Sequence, residues 1–199
     1  PLFSIVVPLY CTPIGYLKEL VESIKEQTYE NWELCLADGS GKGKMDEASL
    51  KMIVEQDERM KLISSETPLQ ISENTNQALE MVTGDYIVFA DHDDLLAPNA
   101  LYECAKAINA NPEIEILYSD EDKVTMDGKT FFQPHFKSDF NMDLFRSMNY
   151  ICHLFVVKRT VQEQVGMLRS EYNGAQDYDF VLRCIEASQH ITHIPKILY

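Results

Sequence analysis

Residues 86–98 read YIVFADHDDLLAP. The run from Tyr86 to Ala90 is apolar and rich in strand formers, as a buried strand requires. It stops at three carboxylates, Asp91, Asp93 and Asp94, with His92 among them. The chain already carries a net charge of -15, so further negative charge at a strand end calls for a positive partner. Two carboxylates one residue apart can grip a hard cation such as Mg²⁺ or Mn²⁺ through oxygen ligands. That cation can in turn bind a diphosphate. The local alternative is helix capping, with Asp94 or Asn99 opening a helix over residues 99–109.

Upstream of this stretch, three strands alternate with three helices. FSIVVPLY (3–10), WELCLAD (32–38) and MKLIS (60–64) are the strands. Tyr16, Leu17, Leu20, Val21 and Ile24 form one helical stripe. Residues 46–57 read as a second helix. A third is expected from a Ser72 cap to Val82, ended by Gly84. Tyr86–Ala90 is then the fourth strand of an open, parallel α/β sheet. Such sheets bind ligands at the carboxyl ends of their strands. Pro8-Leu9-Tyr10, Asp38-Gly39 and Asp91-His92-Asp93-Asp94 therefore outline one crevice.

After Pro98 the pattern changes. It reads as a helix (99–109), strand EILYSD, a hairpin turning at Asp127-Gly128, a short helix (140–148) and strand LFVVK (154–158). A helix starting near Gln176 and a final strand THIPKIL close the chain. Asp177 and Asp179 stand in the first turn of that helix, behind Gly174, which lets the backbone turn tightly. A helix N-terminus favours an ionised carboxylate, so either aspartate can accept a proton or simply cap the helix.

The 199 residues are 45% hydrophobic, ample for one large domain. With 32 Asp+Glu against 17 Lys+Arg, a phosphate-neutralising nucleic-acid surface is excluded. Cys11, Cys35, Cys104, Cys152 and Cys184 are odd in number and widely spaced, as expected of thiols in a reducing compartment. No apolar run reaches the ~18 residues that span a bilayer. The chain starts at Pro1 without a Met, as a fragment would.

Rival motifs fail. An EF-hand needs an oxygen ligand, Gly and Glu where Leu95, Leu96 and Tyr102 stand. GSGKGKM (39–45) lacks the spacing of a phosphate-binding loop. No G-x-G-x-x-G follows the first strand and no G-x-S-x-G elbow occurs. A haloacid-dehalogenase-type phosphatase would carry its nucleophile where Pro8 and Tyr10 stand.

FSIVVPLY, LADGS, GDYIVFADHDDLLAP, LYSDEDK, the segment from FQPHF to VVKR and NGAQDYDFVLR, in this order, resemble the inverting family 2 glycosyltransferases of GT-A fold. The middle stretches most resemble bacterial enzymes of O-antigen, capsule and other surface-polysaccharide synthesis. The resemblance covers essentially the whole chain. It implies one Rossmann-like catalytic domain with a mostly parallel mixed sheet, residues 1–94 binding the nucleotide-sugar and 95–199 the acceptor. It implies that Pro8, Tyr10 and Asp38 hold the nucleobase and ribose, with Asn76 a further donor contact. Asp93 would ligate Mn²⁺ or Mg²⁺, Asp91 would lie nearer the ribose while completing the DxD pair, and Asp177 would be the general base. The implied partners are a UDP-sugar, or a dTDP-sugar, and a saccharide or lipid-linked saccharide. The expected location is the cytoplasm, with attachment at the inner membrane face through regions outside this chain left open. Relatives continue past the position of Tyr199 into a segment with a His and an Arg, so truncation there is expected. Glu73 departs from a Gly common before the third helix, and Ala37 from an acidic residue.

Two other classes fit these residues less well. A non-catalytic nucleotide- or glycan-binding module has no need of a base such as Asp177. A sugar nucleotidyltransferase carries a Gly-rich, Arg-containing loop after its first strand, unlike PLYCTPIGY. SDEDK (119–123) reads equally as acceptor groove or solvated hairpin. His135 and His153 read as structural histidines, and His190 and His193 as surface and strand residues. Trp32 reads as core. Phe136, Phe140 and Tyr150 read mostly as packing.

Overall fold

The computed structural model describes residues 1–126 and 128–199. Four parallel strands come first: β1 (Phe3–Leu9), β2 (Trp32–Asp38), β3 (Met60–Ser64) and β4 (Tyr86–Phe89). They are linked by α1 (Ile14–Lys25), α2 (Glu47–Val54) and α3 (Ile71–Leu79). Their spatial order is β3-β2-β1-β4. The chain winds to one side of β1, then crosses to the other for β4. The winding direction reverses between these two strands, and the crevice outside their carboxyl ends is where open α/β sheets hold ligands.

The second half contributes α4 (Ala100–Ala110), β5 (Ile116–Val124), β6 (Phe131–His135), α5 (Met142–Ser147), β7 (Phe155–Lys158), α6 (Arg159–Val165), α7 (Gln176–Ala187) and β8 (Ile191–Ile197). β7 runs antiparallel between β4 and β5. β8 joins β5 in parallel, and β6 pairs antiparallel with the far end of β5. The sheet is mixed and mostly parallel. Asp127, half of the expected turn, lies outside the described residues; the strands around it pair as a hairpin.

Every residue of β1 and β2 is buried, because helices cover both faces. Alternation divides them between two cores. Ile5, Val7 and Leu9 pack with Leu17, Leu20 and Leu101 on one face. Val6, Cys35 and Ala37 pack with Ala78 and Phe180 on the other. Each fully buried Leu or Ile contributes about 1.5–3 kcal/mol. In α1, Leu17, Leu20, Val21 and Ile24 are buried as expected, with Tyr16 on the flank. Trp32 is core and carries Arg59 over its ring at 3.7 Å.

Several expectations are corrected. Ser72 does not cap α3: the helix starts at Ile71, and the buried Ser72 hydroxyl donates to Asn173 Oδ1 at 2.6 Å. α3 also ends at Leu79 rather than Val82. Asn99 precedes α4 without a side-chain capping bond. Gly84 does not end a helix; it lies against β1, where a Cβ would meet Ser4 Oγ at 2.6 Å. α6 was not foreseen, because only Val161 and Gln162 of its seven residues are buried and no apolar stripe marks it. Among the described residues no helix is long and apolar enough to cross a membrane.

Candidate functional site

The first part of the site lies at the ends of β1 and β2. Pro8 is buried one residue before the end of β1, and Tyr10 follows it, 52% exposed. Asp38 ends β2 in register with Leu9. Its Oδ1 accepts the Ser40 N–H at 2.9 Å, which fixes the tight turn beyond the strand. Gly39 is required at this turn by a close approach: a Cβ there would lie 2.5 Å from Asn74 Cγ. The Asn74 amide donates to the Leu9 carbonyl at 2.9 Å. Its Oδ1 is buried with no partner among the described residues. Beside Asp38 a cleft of about 240 Å³ opens, lined among others by Lys42, Ser64 and Glu66.

Asn76 does not join this group. Its amide donates to the Leu168 carbonyl and accepts the Leu168 N–H, both at 2.9 Å. It ties α3 to the segment after α6, with the Asn76 amide taken up on both sides by the Leu168 backbone. Asn74 is the α3 amide that reaches the strand ends.

The second part is the turn after β4. Asp91 N–H donates to the Tyr199 phenol oxygen at 2.8 Å. Tyr199 also hydrogen-bonds the Asp94 carboxyl. Asp93 is about half exposed, with His92 Nδ1 3.7 Å from its Oδ1. His153 Nε2 lies 3.5 Å from Asp91 Oδ2, and its ring stacks on Tyr199 with centroids 5.1 Å apart. Hydrogen bonding and charge from His153 hold Asp91 below the ordinary carboxylate range. Burial works against a protonated His153, but Asp91, Asp177 and Asp94 together raise its pKa. Burial, with Asp91 and Asp93, pushes Asp94 up.

The third part is Asp177 in the first turn of α7. Gly174, at φ +96°, turns the chain into that helix. Asp177 does not cap it; its carboxylate accepts from the Gln176 side chain at 2.8 Å. Burial raises its pKa, the His153 charge lowers it and the Asp91 charge raises it again, leaving it above the usual range. Asp91 and Asp177 thus sit within electrostatic reach of one another, with pKa values displaced in opposite directions. Such divergence suits two roles, a permanently ionised ligand and a proton acceptor. Asp179 is different: Arg169 and Arg183 both clasp it, and it anchors the helix start.

His153 and Tyr199 are the residues that sequence reasoning missed. SDEDK divides in the fold. Asp120 is buried against His193 Nε2 at 2.8 Å, and Glu121 pairs with the buried Lys137. Asp122 and Lys123 of the same stretch line a cleft of about 680 Å³, and His193 lies in β8 with its side chain buried. Tyr150 is packing and Phe136 stands 70% exposed.

The same cleft adjoins the turn after β4 and is lined among others by Asp93, Asp94, Leu96, Phe131 and Tyr199. No three of His, Cys, Asp or Glu form a metal cage among the described residues. What Asp91 and Asp93 offer is a pair of hard, accessible carboxylates. This fits Mg²⁺ or Mn²⁺ held jointly by one or two carboxylates and a ligand's phosphates.

Comparison with known proteins agrees with this geometry. The family model described as Glycosyl transferase family 2 matches residues 4–166. The uncharacterized protein y4gI of Sinorhizobium fredii is 43% identical over 100% of this chain and 22% of its own length. The O-antigen biosynthesis protein RfbC of Myxococcus xanthus is 35% identical over 100% of this chain and 16% of its own. The chain thus spans about a fifth of these curated relatives. Among solved structures, S. aureus TarS 1-349 superposes with a TM-score of 0.80 at 19% identity, over 100% of this chain and 60% of that one. It has also been solved with UDP and with UDP-GlcNAc. The Pyrobaculum calidifontis mannosyltransferase PcManGT, in complex with GDP-Man and Mn²⁺, matches with a TM-score of 0.72 at 18% identity, over 99% and 55% of the two chains. At these identities the structural likeness is one of fold, and that fold is GT-A.

Proposed function

The chain belongs to glycosyl transferase family 2, and on that premise we propose that it moves a sugar from a nucleotide diphosphate donor to a saccharide or lipid-linked saccharide acceptor, with inversion. A UDP-sugar is the first choice of donor and a dTDP-sugar the second. The setting is cell-surface polysaccharide synthesis at the cytoplasmic side of the membrane. The name of the Myxococcus relative and the UDP complexes of TarS support these choices.

Residues 1–94 bind the donor and residues 95–199 receive the acceptor. Pro8 and Tyr10 flank the base and ribose, and Asp38 accepts the base N–H. Asp91 and Asp93 would hold Mn²⁺ or Mg²⁺, whose chemistry when bound is to offset the charge that builds on the departing diphosphate. Asp177 takes the proton from the acceptor hydroxyl. That oxygen forms a new bond to the anomeric carbon from the face opposite the diphosphate, whose own bond to that carbon breaks. His153 keeps Asp91 ionised and oriented throughout.

The observations that carry this reading are the family 2 match over residues 4–166 and the gathering of Asp91, 3.5 Å from His153 Nε2, with Asp177 around that histidine at the strand ends. The experiment is nucleoside diphosphate release from UDP-, dTDP- and GDP-sugars with Mn²⁺ or Mg²⁺. Turnover with one donor, abolished by Asp177→Asn while donor binding persists, is the expected result. Loss of binding instead would reassign Asp177, and no binding of any donor would overturn the reading.

A further inference from the structure

The Lys137 side chain is fully buried. Its ammonium has three N–H donors and three acceptors: Glu121 Oε2 at 2.9 Å, the Ile151 carbonyl at 3.0 Å and the His153 carbonyl. Glu121 Oε2 also accepts the His153 N–H at 2.9 Å. Two side chains from the β5–β6 region therefore hold both backbone polar groups of His153. Lys137 is itself held, its N–H donating to Asp120 Oδ1 at 2.8 Å, and Asp120 is held by His193 Nε2.

Burying an ion pair is a poor route to stability, because desolvation offsets the attraction and replacing both partners by apolar residues of similar volume does as well or better. The charge at Lys137 therefore needs another explanation, and its contacts supply one. They converge on the backbone of the residue whose ring meets Asp91 and Tyr199. Backbone placement sets ring placement, since χ1 and χ2 only swing the imidazole about a fixed Cα.

We propose that Lys137, acting through Glu121 and the backbone of residues 151–153, is a positioning residue for the transfer reaction that fixes His153 against Asp91. Its catalytic consequence rests on the function proposed above; the clasp itself does not. Lys137 touches neither substrate nor reacting atoms in this assignment. Its effect reaches the site through one histidine.

The test uses Lys137→Met, which keeps length and apolar volume while removing the ammonium. Long-range ¹H–¹⁵N imidazole spectra of the ligand-free protein report on His153, whose signals are identified by their loss in His153→Gln. Lys137→Met is expected to stay folded and to shift or broaden the His153 signals. Among the donors named above, kcat with the active one falls about 10- to 100-fold, while KM for the donor moves less than about threefold. Lys137→Arg, which keeps the charge, recovers part of the loss. Should Lys137→Met not fold, Glu121→Gln, which removes the counter-charge, is expected to displace the same signals. Unmoved His153 signals in a folded variant, or displaced signals with unchanged kcat, overturn the proposal. If the wild-type protein transfers no sugar, the function fails and the positioning claim fails with it, while the spectra alone still decide the clasp.

Discussion

Asp91 and Tyr199, 108 positions apart in the chain, meet through a 2.8 Å hydrogen bond from the Asp91 N–H to the phenol oxygen. The same hydroxyl bonds the Asp94 carboxyl, and the ring stacks on His153. The residue two positions beyond β8 thereby pins the turn that carries the carboxylates. Tyr199→Phe keeps the stack and loses the bridge. A net hydrogen bond is worth about 1 kcal/mol, so kcat/KM is expected to fall roughly fivefold. Tyr199→Ala, which loses the stack too, is expected to fall further.

Asp177 must be ionised to accept a proton. Its raised pKa places the acid limb of kcat/KM above the 3.8 of an unperturbed aspartate, so activity declines as pH falls through that raised value. Asp177→Asn is expected to lower kcat by about 10²–10⁴-fold and to erase the limb. A pH profile of both proteins checks this.

Gly39→Ala puts a methyl 2.5 Å from Asn74 Cγ. The buried Asn74 is tied to the Leu9 carbonyl and cannot yield without breaking that bond. The expected cost is about 1–3 kcal/mol of stability, together with weaker nucleoside diphosphate binding, because the displaced turn carries Asp38. Denaturant unfolding and calorimetry measure the two effects.

Glu33 offers a test of the fold far from the chemistry. Burial raises its pKa, but bonds from Lys61, Ser4 and Thr83 outweigh burial and hold it at about 2, against 4.5 when unperturbed. A depressed folded-state pKa contributes stability that is present above the unfolded value and lost as pH falls towards the folded one. Linkage makes this roughly 3 kcal/mol. Glu33→Gln should therefore be less stable than wild type at pH 7, and the gap should close between pH 4.5 and 2. A gap that stays constant with pH contradicts the assignment.

Much of this was legible in the chain itself, and the failures share one cause. β1, β2 and β4 were readable because their apolar runs are dictated locally, by helices covering both faces. The place of the carboxylates after β4 was readable, because they follow a strand beside the sheet's winding reversal, where open α/β sheets hold ligands. His153 reads locally as a structural histidine, and its partners Asp91 and Tyr199 gave no local signal because they are distant in sequence. The bonds of Asn76 to Leu168 gave no local signal, because the two lie 92 positions apart. Ser72 looked like a cap because the signal is local, while its bond to Asn173 spans 101 positions. Lys137 gave no signal, since a lone Lys between Phe136 and Ser138 reads as surface.

The most direct test is a calorimetric titration of wild type and Asp93→Asn with UDP, dTDP and GDP, each with Mn²⁺ and with a chelator. One nucleotide is expected to bind wild type with Mn²⁺ and to lose about tenfold or more in affinity both on chelation and in Asp93→Asn. Equal binding with and without the cation, or undiminished binding by Asp93→Asn, would contradict the role given to these carboxylates.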